Sequence, residues 1–109
     1  MTEDYTLQLK LLHGFSNKIR YRILMVLKDG ERNVSDLVTL VGGSQSAVSQ
    51  HLACLKDCGL IEKRLEGKFY FYRLTSPQIP LLLDLLNESS HDFHWDEQSE
   101  VVKCEHHMA

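Results

Sequence analysis

Two cysteines lie four residues apart in the segment HLACLKDCGL, at positions 54 and 58. In a helix, residues at i and i+4 share one side, with their Cβ atoms about 5–6 Å apart. A disulfide needs Cβ atoms within about 4.5 Å, whereas a metal ion can bridge two thiolates at about 2.3 Å from each sulfur. The spacing of Cys54 and Cys58 therefore favours a metal site over a disulfide between them.

Cys104, in the C-terminal sequence VVKCEHHMA, is the remaining thiol and the candidate third metal ligand. Three thiolates form a soft ligand set, which favours soft metal ions. His106 and His107 adjoin Cys104, and an imidazole ligand from either would make Zn(II), Co(II) or Ni(II) competitive. His91 and His94 lie three residues apart but lack partner ligands for a second metal site, and whether they contribute to a site stays open.

Other roles for the thiols also stay open. Cys54 can be a small buried apolar residue, and Cys58 an incidental residue at a helix end. A redox switch is a further alternative, in which Cys104 forms a disulfide with Cys54 or Cys58. We do not expect an enzyme, because a helix C-terminus disfavours a thiolate and no catalytic base accompanies Cys54.

The composition indicates one modest globular domain of 109 residues, with 43% hydrophobic and 25% charged residues. We expect a cytoplasmic protein, because the acidic N-terminus is unlike a signal peptide and the cysteine count is odd. The net charge of -3 is uneven, since residues 1–73 hold 11 of the 12 Lys and Arg but only 8 of the 15 Asp and Glu. Such a basic body can bind a polyanion despite the overall charge.

Apolar periodicity and capping residues predict the elements that position the thiols. Leucine spacing predicts a first helix over residues 4–14. Ser16 or Asn17 caps a second helix, KIRYRILMVLKDG, and Asn33 opens a short third helix, VSDLVTLVGG. Ser44 caps a fourth helix, QSAVSQHLACLKDC, which Gly59 closes.

The segment after the fourth helix, IEKRLEGKFYFYRL, predicts a two-stranded hairpin that turns at Glu66-Gly67. Pro77 and Pro80 start a last helix, and the sequence after about His94 is polar and lacks periodicity. This order predicts a mostly α winged helix-turn-helix with a β-hairpin wing over residues 1–94, and a flexible tail over residues 95–109 that carries a metal ligand. A three-helix interaction module is the alternative.

The fourth helix has two faces. Val48, Leu52 and Leu55 follow core spacing, and the opposite face carries short or amide side chains without charge, which can approach base edges closely. A merely solvated face would usually carry Lys and Glu. We predict DNA contacts from both this helix and the basic hairpin. The predicted contact residues are Ser44, Gln45, Ser46, Ser49, Gln50, His51, Lys63, Arg64 and Lys68.

Residues 16–74 resemble the ArsR/SmtB family of metal-sensing winged-helix repressors. The resemblance rests on R-x-x-I-L, V-S-D-L, Q-S-A-V-S-Q-H-L-x-x-L, G-L-I and the wing G-K-F-Y-F-Y-R-L. It implies a homodimer, joined through the first and last helices, that leaves or loosens on operator DNA when metal binds. HLACLKDCGL with a tail cysteine is similar to the cadmium- and lead-sensing branch of this family, which implies Cys54, Cys58 and a partner's Cys104 as ligands of Cd(II) or Pb(II). Whether Cys104 acts within or between subunits stays open.

Overall fold

The computed structural model describes residues 4–92, and its helices and hairpin follow the predicted order. The described part contains α1 Thr6–Phe15, α2 Lys18–Leu27, β1 Arg32–Asn33, α3 Val34–Val41, α4 Gln45–Asp57, β2 Ile61–Glu66, β3 Phe69–Leu74 and α5 Gln78–Ser90. This is the predicted winged helix-turn-helix, in which α3 and α4 form the helix pair and β2 and β3 the wing. The tail predicted over residues 95–109 lies outside the described residues.

Polar side chains begin three of the helices as predicted. The side-chain oxygens of Asn17, Asn33 and Ser44 accept backbone N–H bonds of 2.8–3.1 Å in the first turns of α2, α3 and α4. Of the two candidate caps for α2, Asn17 is the one that binds. Gly59 follows α4 with φ +81, a conformation that glycine adopts without strain, and so ends the helix beyond Cys58.

The core forms where α2, α3, α4, the start of β2 and α5 meet. Val48, Leu52 and Leu55 are at most 1% exposed, which confirms the apolar face predicted for α4. Burying this face turns the opposite side of the same helix toward solvent, because the two faces are fixed by one helical period. Core packing therefore decides which side of α4 a ligand can reach.

The sheet has three strands rather than the predicted two. β1 pairs antiparallel with β3, giving the order β1-β3-β2, and places Arg32 opposite Tyr72 and Asn33 opposite Phe71. A strand of two residues is too short to show alternation, so the sequence pattern could not reveal it. Asn33 thus both pairs with the wing and caps α3.

Helices α1 and α5 leave most of their leucines uncovered. Leu7 is 77% exposed and Leu81 65%. The other strongly exposed leucines of these helices are Leu9, Leu12, Leu85 and Leu86. Between α1, α2 and α5 lies an open hollow lined in part by Phe15 and Tyr21. Among residues 4–92, no helix has the length and apolar character needed to cross a membrane.

Candidate nucleic-acid interface and metal site

An exposed polar strip runs along the N-terminal half of α4. Gln45, Ser46, Ser49 and Gln50 are all exposed, and none of their side chains forms a hydrogen bond or ion pair within residues 4–92. Ser44 is exposed beside them and caps the helix. The strip therefore offers uncharged donors and acceptors at the positive end of a helix dipole.

Behind this strip, a buried arginine joins three helices. Arg20 of α2 is only 8% exposed, and its Nη2 donates to the His13 carbonyl of α1 at 2.9 Å. Its Nη1 lies 3.3 Å from Nδ1 of His51 on α4, so this ring nitrogen accepts. Burial, with the nearby Arg20 charge, lowers the pKa of His51 and keeps it neutral at neutral pH. His51 thus supports α4, and its DNA contact stays a prediction.

The thiol pair lies at the opposite end of α4. Cys54 is in the last turns and Cys58 is the C-cap residue, whose N–H donates to the Cys54 carbonyl at 3.0 Å. Both are free thiols and half-buried, so neither is sealed in the interior. Residues 4–92 contain no cluster of three His, Cys, Asp or Glu side chains able to hold a metal. The described part therefore offers two thiols, and the predicted third ligand, Cys104, lies outside it.

The surroundings of Cys58 favour its protonated form. Burial raises the pKa of Cys58, and the adjacent Cys54 adds to this effect. Lys10 of α1 and Arg20 of α2 act in the opposite direction, which shows that two cations lie within electrostatic reach. A protonated thiol is a poor nucleophile, but a metal ion can displace its proton, and the two cations would then offset the added negative charge.

Of the predicted histidine ligands, His91 is the one that lies within the described residues. His91 is exposed at the end of α5, and its Nδ1 lies 2.8 Å from the Asn87 carbonyl. This contact makes Nδ1 the donor and leaves Nε2 with the lone pair that a metal would need. His94, His106 and His107 lie outside the described residues, so their part in a site stays a prediction.

The basic residues of the wing differ in whether a carboxylate binds them. Arg64 donates to Glu31 through Nη2 at 2.8 Å and to Glu66 through Nη1 at 2.8 Å. Lys63 lies with its Nζ 4.5 Å from the centre of the Tyr70 ring. Lys68 is exposed in the turn and forms no ion pair within the described part of the chain.

Sequence reasoning missed Glu31. It lies 33 positions before Arg64, in the loop that leads into β1, and the β1-β3-β2 sheet brings the two side chains together. A local pattern carries no trace of such a pairing. The pairing of β1 with β3 brings Glu31 close to Arg64, but the sequence pattern did not predict the two-residue strand β1.

Comparison with known proteins identifies the relatives of this chain. Residues 17–63 match the model described as "Bacterial regulatory protein, arsR family". The transcriptional activator HlyU of Vibrio cholerae is 40% identical over 77 residues, which are 71% of this chain and 71% of HlyU. The arsenical resistance operon repressor of Escherichia coli is 39% identical over 78 residues, 71% of this chain and 66% of the repressor.

Solved structures agree with this match. HlyU from Vibrio cholerae superposes with a TM-score of 0.73 and 36% identity over 82% of this chain and 97% of that one. The homodimeric winged helix-turn-helix DNA-binding domain Mb0332 from Mycobacterium bovis superposes with a TM-score of 0.73 and 27% identity over 87% and 96%. These relatives are transcriptional regulators rather than enzymes. On sequence and fold together, the chain belongs to the arsR family of bacterial regulatory proteins, which bind DNA through a winged helix-turn-helix.

Proposed function

We propose that this protein is a metal-responsive transcriptional repressor that binds operator DNA as a homodimer. Cd(II) or Pb(II), held by Cys54, Cys58 and Cys104, releases it. The observation that carries this proposal is that the thiol pair and the exposed polar strip share α4, a helix of 13 residues. Such a helix is about 20 Å long and moves as one body, so metal binding at one end displaces base contacts at the other.

In this proposal the strip from Gln45 to Gln50 reads bases in the major groove. Gln side chains can bind adenine through two hydrogen bonds, and Ser accepts or donates to several bases. Ser44 and His51 border the strip, and Lys63 and Lys68 contact phosphates from the wing. Arg64 joins them only where it leaves Glu31 and Glu66.

A second copy of the chain accounts for the exposed leucines of α1 and α5. Apolar residues as exposed as Leu7 and Leu81 cost free energy in water, and two copies can bury them against each other. The relative Mb0332 is described as homodimeric. Two α4 helices in one dimer would then enter successive major grooves about 34 Å apart.

The soft ligand set supports the choice of metal. Three thiolates around a divalent ion leave one net negative charge, which Lys10 and Arg20 can offset. An imidazole from His106 or His107 in place of one thiolate would shift the preference toward Zn(II), Co(II) or Ni(II). To switch expression, the metal must favour the unbound form by about 1–3 kcal/mol or more.

A gel shift of the reduced protein on DNA from its own promoter tests this function, with each metal added in turn. Cd(II) or Pb(II) should release the wild-type protein. Cys54→Ser should bind DNA as well as wild type but stay bound when metal is added. Ala53→Ser adds the same hydroxyl at the neighbouring exposed position and should respond like wild type. Normal release of Cys54→Ser would show that the site is assigned wrongly.

The second candidate function is a redox switch, and a solved structure of one relative supports it. The structure of reduced HlyU from Vibrio cholerae matches 77% of this chain at 37% identity, so redox state was distinguished for that protein. Here a disulfide would join Cys104 to Cys54 or Cys58. A metal sensor gives a sulfur-to-metal ultraviolet band under reductant, whereas a redox switch needs an oxidant to leave DNA.

A further inference from the structure

Glu31, in the loop between α2 and β1, grips the guanidinium of Arg64 from one side. Nε of Arg64 donates to Oε2 at 2.9 Å and to Oε1 at 3.2 Å, while Nη2 donates to Oε1 at 2.8 Å. This is the two-pronged contact that arginine makes with carboxylate or phosphate. Arg64 therefore already holds, inside the protein, a partner of the kind that DNA would offer.

A second carboxylate and an aromatic ring also contact the guanidinium of Arg64. Nη1 donates to Glu66 at 2.8 Å, and Cζ lies 5.2 Å from the centre of the Phe71 ring. Each nitrogen of the guanidinium thus has a carboxylate acceptor. One N–H of each Nη has no acceptor within residues 4–92, but a phosphate can bind the Nε–Nη2 edge of Arg64 only by displacing Glu31.

The strand register places this cluster on one face of the wing. Glu62 lies opposite Arg73 and Arg64 opposite Phe71, so alternate residues bring the charges together. Arg73 donates to Glu62 at 3.3 Å and lies 4.0 Å from Glu31. Three carboxylates therefore face two guanidinium groups, and this face carries no surplus positive charge.

The ion pair has little to contribute to folding by itself, because an exposed pair stabilises a protein weakly. Its charge matters more for DNA. Arg64 holds the pKa of Glu31 below its ordinary value, so the carboxylate is ionised at neutral pH. An ionised carboxylate beside a phosphate-binding wing repels the DNA backbone over about one Debye length.

We propose that Glu31 limits DNA affinity by withholding Arg64 from the phosphate backbone, so that the wing binds DNA mainly through Lys63 and Lys68. This inference rests on DNA binding alone and does not depend on metal sensing. It assigns to a residue outside the reading helix and the wing strands a positioning role in the strength and salt dependence of DNA binding.

Glu31→Gln tests the proposal in metal-free, reduced protein. Affinity is measured over a range of salt concentrations, on DNA from the protein's own promoter and on a short duplex of unrelated sequence. One added phosphate contact steepens the slope of log affinity against log salt by about 0.9 per protomer, which near 0.1 M salt is a gain of roughly several-fold to tenfold. We expect that gain on both duplexes, because phosphate contacts carry no sequence information.

Three further variants separate this role from a structural one. Arg64→Gln alone should change the salt slope little, and added to Glu31→Gln it should return the slope to the wild-type value. Glu88→Gln removes the same charge from α5, outside the wing, and should leave the slope unchanged. Glu66→Gln should give a smaller gain than Glu31→Gln, because only one of the three nitrogens bonds Glu66.

An unchanged or flatter slope for Glu31→Gln, in a variant whose thermal unfolding is like that of wild type, would overturn the proposal. So would an equal gain from Glu88→Gln. Failure of the wild-type protein to bind its promoter DNA would instead contradict the proposed repressor function.

Discussion

The exposed strip of α4 and the wing were both predicted to contact DNA, and they present opposite electrostatic situations. The strip from Gln45 to Gln50 has no charge, and no internal partner engages its side chains in the described residues. The wing is rich in charge, but its two arginines are bound to Glu31, Glu62 and Glu66. The region that looks less attractive to a polyanion is thus the one that is fully available to it.

This difference shows that residue type and availability are separate properties. On α4 the helical spacing determines both residue type and availability. Burial of Val48, Leu52 and Leu55 leaves the polar residues on the opposite side free. On the wing, availability depends on which residues the strand register places side by side. Counting basic residues overestimates the attraction of such a surface for DNA.

The largest effect is expected on the strip. Gln50→Ala removes a side chain able to bind adenine through two hydrogen bonds, a contact of about 1–3 kcal/mol, or roughly 5- to 150-fold in affinity for the promoter DNA. Fluorescence anisotropy on labelled DNA measures the loss. Gln78→Ala, an identical change at an exposed site at the start of α5, should have no effect on DNA affinity in a variant shown by sedimentation to be dimeric like wild type. Equal affinity of Gln50→Ala and wild type would remove this residue from the reading surface.

A smaller effect is expected at the wing tip. Lys68→Ala removes an unpaired charge and should flatten the salt slope by about 0.9 per protomer, with an affinity loss of several-fold at low salt. The same measurement on Arg64→Gln should show almost no change. If Arg64→Gln proved the more harmful of the two, the contrast between paired and unpaired wing charges would be wrong.

The smallest effect concerns pH, and it separates the supports of the two regions. The pKa of His51 is lowered from 6.5, so its stabilising contribution is present above pH 6.5 and is lost as the pH falls below it. Glu31 has its pKa lowered from 4.5 and keeps its contribution until more acidic conditions. Between about pH 7 and about pH 5, the stability of wild type should therefore fall slightly more than that of His51→Gln, as measured by thermal unfolding. An identical pH dependence in both proteins would contradict this.

Much of the fold could be predicted because local chemistry decides it. The caps at Asn33 and Ser44 and the stop at Gly59 are visible in the sequence, since each acts on residues within one helical turn. The burial of Arg20 also follows from its position, because it lies three and four residues before Ile23 and Leu24 on the apolar side of α2.

Prediction of the candidate site went less far. Spacing alone placed Cys54 and Cys58 on one side of α4, but nothing in the pattern tells that Lys10 and Arg20 lie near them. Those neighbours come from α1 and α2, and their approach depends on how whole helices pack. The same limit concealed Glu31, whose partner is far away along the chain.

Asn33 serves the sheet and α3 at once, and this has a consequence for protein engineering. A designer who exchanges the hairpin between relatives would take residues 61–74 as the cassette. Its lateral support, however, is encoded before α3, where Arg32 and Asn33 face Tyr72 and Phe71. A chimaera carrying only the hairpin would pair the β3 strand of one protein with the β1 strand of another. The segment to exchange is therefore discontinuous and includes residues 31–33.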